Sequence, residues 1–176
     1  MKLILIILFL SPAIFAMPAS IILMRHGEKP DQGNELSERG WQRAKALPTL
    51  FDRIGSPVAL YGMSPKNDDG SIRAIQTLKY VAEKFKLVIQ SDFNKKETVQ
   101  LISDIKKNKI YDGKIVVICW EHKYIIEIAQ LLGVTQNINW PGKQFDRYWR
   151  LDYSPQGVLT HYQDLPERLL PGDSSI

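Results

Sequence analysis

Several things are scarce in this 176-residue chain. It has one cysteine, Cys119, so no disulfide can form within it. One thiol beside three histidines is also too thin a donor set for a structural zinc site. No Gly-x-x-x-x-Gly-Lys-Ser/Thr phosphate loop and no Gly-x-Gly-x-x-Gly fingerprint occurs, so neither a P-loop nor a dinucleotide fold is indicated. No acidic cluster is fit to hold magnesium. The charge balance is close to even: 23 Lys and Arg against 19 Asp and Glu, net +4. With no basic run standing out, nucleic acid is not an expected partner. There are no repeats and no low-complexity segment.

The one long apolar run is at the amino terminus. Lys2 is followed by Leu3 to Leu10, and then by Ser11-Pro12-Ala13-Ile14-Phe15-Ala16. A basic start, a short apolar stretch and small residues describe a secretory signal peptide. The run is too short for a comfortable membrane span, so no stable membrane insertion is expected after cleavage. Cleavage is expected after Ala16, with Ala19 as the alternative. It leaves one domain, residues 17–176, carrying a net charge of +3. An uncleaved anchor is the competing reading. No cysteine near the junction indicates a lipoprotein anchor.

What the chain does have is alternating strands and helices. Ser20-Ile21-Ile22-Leu23-Met24 runs straight into Arg25-His26-Gly27-Glu28, the pattern of a strand buried on both faces. Ser37 can cap a helix carrying Trp41, Ala44, Leu47, Phe51 and Ile54 inward, which Pro48 should kink or split. Val58 to Tyr61 reads as a second strand. The loop Ser64 to Ser71 follows, and then a helix with Arg73 in its first turn and Ala74, Ile75, Leu78, Val81, Ala82 and Phe85 on one face. A third strand is expected at Leu87 to Ile89 and a helix from about Lys95 to Lys107. A second buried strand, Ile115 to Trp120, ends at Glu121-His122 and leads into a helix that Gly133 can cap. Cys119 lies within that strand as a small buried hydrophobe. Phe145 to Tyr153 and Val158 to Tyr162, around Ser154-Pro155-Gln156-Gly157, read as a hairpin. This order predicts an α/β fold: a three-layer α/β/α sandwich with a mostly parallel sheet and a C-terminal hairpin.

In such a sheet Arg25, His26, Arg73, Glu121 and His122 all fall at the carboxyl edge, where open α/β sheets bind ligands. Two guanidiniums and two imidazoles suit a phosphate dianion, held by side chains alone. Glu28 and Lys29 are read as either lining the mouth or solvated. His161, Trp140, Tyr148 and Trp149 are read as surface or packing residues.

Arg25-His26-Gly27, Leu36-Ser37-Glu38-Arg39-Gly40-Trp41-Gln42-Arg43-Ala44, Arg73-Ala74-Ile75-Gln76-Thr77 and His122 after a buried strand, in this order, resemble the histidine phosphatase superfamily, which has the phosphoglycerate-mutase-like fold. The resemblance implies a phosphomonoesterase of the histidine acid phosphatase type. His26 attacks phosphorus to give a phosphohistidine, Arg25, Arg73 and His122 hold the phosphoryl oxygens, and no metal or other cofactor takes part. A carboxylic acid must protonate the leaving alkoxide. Some branches take a Glu from the segment after the third strand, where this chain offers Asp92 and Glu97. Another branch has an Asp directly after the second His, where Lys123 stands. Glu121 is the favoured candidate. The expected partner is a small phosphorylated substrate, met outside the cytoplasm. The rivals are a phosphoglycerate mutase, a phosphohistidine-protein phosphatase and a phosphate-binding protein without turnover.

Overall fold

The computed structural model describes residues 17–67 and 70–174. The signal-peptide reading of residues 1–16 lies outside them.

Six strands form one sheet in the order β3-β2-β4-β1-β5-β6. The strands are β1 (Ser20–Arg25), β2 (Pro57–Gly62), β3 (Ile89–Gln90), β4 (Ile115–Trp120), β5 (Arg147–Tyr153) and β6 (Leu159–Pro166). β1, β2, β3 and β4 run parallel, while β5 pairs antiparallel with β1 and β6 with β5. The hairpin is thus no appendage: it completes the sheet. The helices are α1 (Glu38–Ala46), α2 (Pro48–Ile54), α3 (Arg73–Phe85), α4 (Thr98–Lys107) and α5 (His122–Leu131). α1, α2 and α3 pack together on one face, and α4 with α5 on the other.

The central strands are apolar on both faces because both faces are covered. Ile21 to Met24 and Val116 to Cys119 have no exposed surface. Each such side chain contributes about 1.5–3 kcal/mol by leaving water. The Cys119 thiol is pushed up by that burial, so it behaves as a hydrophobe. Trp140, Tyr148 and Trp149 are buried, the two indoles 4.9 Å apart, whereas His161 is exposed on β6.

Pro48 splits the first helix as expected. Leu47 ends α1 through its N–H to Arg43 and starts α2, and Pro48 sits in the first turn, where a missing N–H costs nothing. Ser37 caps α1, its hydroxyl accepting from the Gly40 N–H at 3.2 Å. Two boundaries differ from expectation. The third strand is Ile89–Gln90 and not Leu87 to Ile89, because only Ile89 and Gln90 meet partners in β2 and Val88 is 82% exposed. α4 begins at Thr98, three residues late. Asn94 to Glu97 instead form a turn closed by side chains: Glu97 Oε2 accepts from the Asn94 N–H at 2.8 Å, and Asn94 Oδ1 accepts from the Lys96 N–H at 3.0 Å.

Candidate active site

The parallel register sets Arg25 opposite Trp120 and Gly62 beside Cys119, so the segments leaving β1, β2 and β4 emerge side by side. A cleft of about 240 Å³ opens there, at the carboxyl edge. Arg25, His26, Arg73, Glu121 and His122 line it, joined by Lys29, which the sequence left open between mouth and solvent, and by Met63 and Ser71, which it did not single out.

His26 is 5% exposed. Its Nδ1 lies 2.8 Å from the Gly27 carbonyl oxygen. A carbonyl only accepts, so Nδ1 carries the proton and the neutral ring keeps its lone pair on Nε2. Burial pushes the imidazole down to about 4; Arg25, Arg73 and His122 act in the same sense, against the Gly27 hydrogen bond. The Gly27 N–H donates to Thr77 Oγ1 at 2.8 Å, and that hydroxyl donates to the Arg73 carbonyl at 2.7 Å. Thr77 therefore ties the His26 turn to the first turn of α3. Gly40 allows α1 to approach from the other side, since a Cβ there would overlap the Glu28 carbonyl oxygen.

Arg25 is 3% exposed. One of its terminal nitrogens donates to the Gly142 and Gln144 carbonyls at 2.7 and 3.2 Å. Its guanidinium carbon stands 3.8 Å from the centroid of the Phe145 ring, and its buried Nε has no partner among the described residues. Desolvation lowers its pKa to about 10, opposed by Glu121. Arg73 is held at the mouth by the carbonyls of Gly33 and Glu35 and by Ser71 Oγ. His122 opens α5. Its Nδ1 is buried without a partner among the described residues, and desolvation followed by Arg25 lowers its pKa. A cationic pocket with neutral imidazoles results.

Glu121 is the carboxylate that lines the cleft, and Lys95 lies 3.4 Å from it. Glu97 and Asp92 are not brought there. The Glu97 carboxylate is spent on the Asn94 turn, and Asp92 is exposed. Glu28, left open between mouth and solvent, is neither a phosphate ligand nor free: it pairs with the buried Arg43 at 2.7 Å. The segment that grips Arg25, Gly142 to Phe145, gave no sign in the sequence, because carbonyl oxygens carry no side-chain signature. Among the described residues no group of three or more His, Cys, Asp or Glu is placed to hold a metal ion.

No family model matches the chain, and no curated protein matches it by sequence. Solved structures do match. One is a mycobacterial glucosyl-3-phosphoglycerate phosphatase in complex with inorganic phosphate: TM-score 0.60 at 14% identity, over 83% of this chain and 95% of the other. Another is the protein histidine phosphatase SixA complexed with tungstate: TM-score 0.58 at 12% identity, over 84% and 97%. A third is a putative alpha-ribazole-5'-P phosphatase from Escherichia coli: TM-score 0.56 at 15% identity, over 80% and 93%. These structures are histidine phosphatase superfamily members, and the chain has their fold, including the β5–β6 hairpin at the end of the sheet.

Proposed function

We propose that this chain is an exported phosphatase that removes the phosphoryl group from a small phosphorylated substrate through a phosphohistidine on His26. The observation that carries the reading is a buried neutral imidazole, with its Nε2 lone pair free, between two guanidiniums that make no ion pair among the described residues. Similar structures in complex with inorganic phosphate and with tungstate support it. The apolar segment of residues 1–16 supports export.

In the first step Nε2 of His26 forms a bond to phosphorus as the bond to the leaving oxygen breaks. Arg25, through its spare N–H groups, Arg73 and His122 hold the peripheral oxygens and offset the charge that spreads over them. Glu121, placed by Lys95, gives its proton to the leaving alkoxide. In the second step Glu121 takes a proton from water, the hydroxide oxygen bonds to phosphorus, the P–N bond breaks, and phosphate leaves with His26 restored. The charge is carried by side chains, so the reaction runs without a metal. Brief incubation with a radiolabelled phosphomonoester should leave label on the protein that survives alkali and is lost in acid. Absence of that label during turnover would overturn the covalent scheme.

The Lys95–Glu121 pair favours a second reading, a phosphohistidine-protein phosphatase. The Glu121 carboxylate stands 3.4 Å from the Lys95 ammonium, and an imidazole leaving group needs less help from an acid than an alkoxide does. Glu121→Gln separates the two. A loss of about 10²–10⁴-fold on an alkyl phosphate, with little on an aryl phosphate, marks the acid of a phosphomonoesterase. An undiminished rate on both, with rapid turnover of a phosphohistidine peptide, favours the second reading.

A further inference from the structure

The end of the sheet opposite the cleft has a composition of its own. Five large apolar side chains are exposed among the described residues: Val88, Val99, Ile110, Leu131 and Val158. Strand direction places four of them at the amino edge of the parallel strands. Val88 lies between α3 and β3, Ile110 between α4 and β4, Leu131 at the end of α5, and Val158 in the turn between β5 and β6. Only Val99, at the start of α4, is at the cleft end.

Lysines gather at the same edge. Lys106, Lys107, Lys109 and Lys114 are all exposed, within nine residues that hold one acid, Asp112. Lys86 is exposed on the neighbouring connection. Other charges at this end include Glu83, which is exposed, Asp52 paired with Lys84, Arg53 beside it, and Arg150 paired with Asp152. The segment from Lys106 to Lys114 thus carries an excess of three positive charges, while the whole chain carries +4. No basic run stands out in the sequence, where lysines in a helix's last turn also suit its dipole. The fold is what brings them beside Lys86 and the exposed apolar side chains.

A third feature meets them. The chain enters the fold here: the Gly113 N–H donates to the Met17 carbonyl and the Tyr153 N–H to the Ala19 carbonyl.

We propose that the amino edge is a docking face for the surface of an anionic lipid bilayer. Exposed lysines interleaved with single apolar side chains suit an interface with anionic headgroups outside and acyl chains beneath. The cleft then opens away from the bilayer, toward water-borne substrates. The inference is independent of the phosphatase reading.

The test is sedimentation of the purified chain with vesicles of phosphatidylcholine alone and of phosphatidylcholine with about a third phosphatidylglycerol. Binding to the anionic vesicles should be at least about tenfold stronger and should weaken sharply at high salt. The triple variant Lys106→Glu, Lys107→Glu, Lys109→Glu should fall to the level of neutral vesicles, and Ile110→Ser should lose a smaller factor. An unchanged melting temperature certifies the fold of each variant, and Lys106→Gln with Lys107→Gln gives an intermediate loss. Equal binding to both vesicle types overturns the proposal, as does a triple variant that binds like its parent. Tighter binding to a DNA or RNA oligomer than to anionic vesicles would assign the face to nucleic acid and overturn it too.

Discussion

Arg25 and Arg43 are 3% and 2% exposed; Arg25 stands directly before His26 in the chain, and Arg43 reaches Glu28, two residues after it. Their company is opposite in kind. Arg43 reaches Glu28 at 2.7 Å, Glu167 at 2.9 Å and Asp173 at 2.8 Å, which together raise its pKa despite burial. Arg25 has two carbonyls and a phenyl ring, and burial lowers its pKa to about 10. A buried cation that has its carboxylates is a structural fastening, and this one clamps the segment from Glu167 to Asp173 across α1. A buried cation left with neutral dipoles still has charge to share with an anion. Burial alone would not separate the two; the sign of the surroundings does.

The largest effect expected is at the nucleophile. His26→Ala should lower kcat/KM by on the order of 10⁴-fold or more, with an unaltered circular dichroism spectrum. A purified variant keeping a tenth of the activity would remove the contrast, since the cleft would not then be the place of chemistry. The arginines come next. Arg43→Leu leaves buried carboxylates uncompensated and should cost about 3–5 kcal/mol in urea unfolding. Arg25→Leu removes a cation that makes no ion pair among the described residues. It should leave stability within about 1 kcal/mol and lower kcat/KM about 10²–10³-fold. If both variants lost stability alike, the comparison would fail.

Acid sharpens the same comparison. The His26 pKa is lowered to about 4, so the ring stays neutral in the folded chain while an unfolded histidine titrates near its ordinary value. From about pH 6.5 down to 4 the unfolded state binds the extra proton, so stability falls as pH falls, in total by roughly 3 kcal/mol from this group. His26→Ala should flatten that part of the urea-midpoint profile. The kcat/KM of the parent should hold down to about pH 5 and drop about tenfold per unit below 4. Asp173, held down to about 2 chiefly by its hydrogen bond from Arg43 against the penalty of burial, stays ionised over the window, whereas burial pushes the Glu167 carboxyl up to about 8, so the fastening contributes a slope of the opposite sign, stability falling as pH rises from about 4.5 to 8. The smallest effect is at a residue in neither cluster: Ser37→Ala should cost about 1 kcal/mol through the lost cap and leave kcat unchanged.

Periodicity and the chemistry of single residues were enough for the α/β order, the split at Pro48, the Ser37 cap and the two central strands. Each of these depends on neighbours within a few positions: an apolar run, a missing N–H, a hydroxyl three residues from its donor. Parallel strands whose carboxyl ends share one edge then gathered Arg25, His26, Arg73, Glu121 and His122. Competition decided the rest. Glu97 is drawn into the turn at Asn94, and Glu28 is claimed by Arg43. The grip on Arg25 comes from carbonyls more than a hundred residues away, and the lysines of the far edge meet exposed apolar side chains only because three connections end on the same side of the sheet. Such outcomes are set by which partners the folded chain brings within bonding distance, and no window of local sequence contains that information.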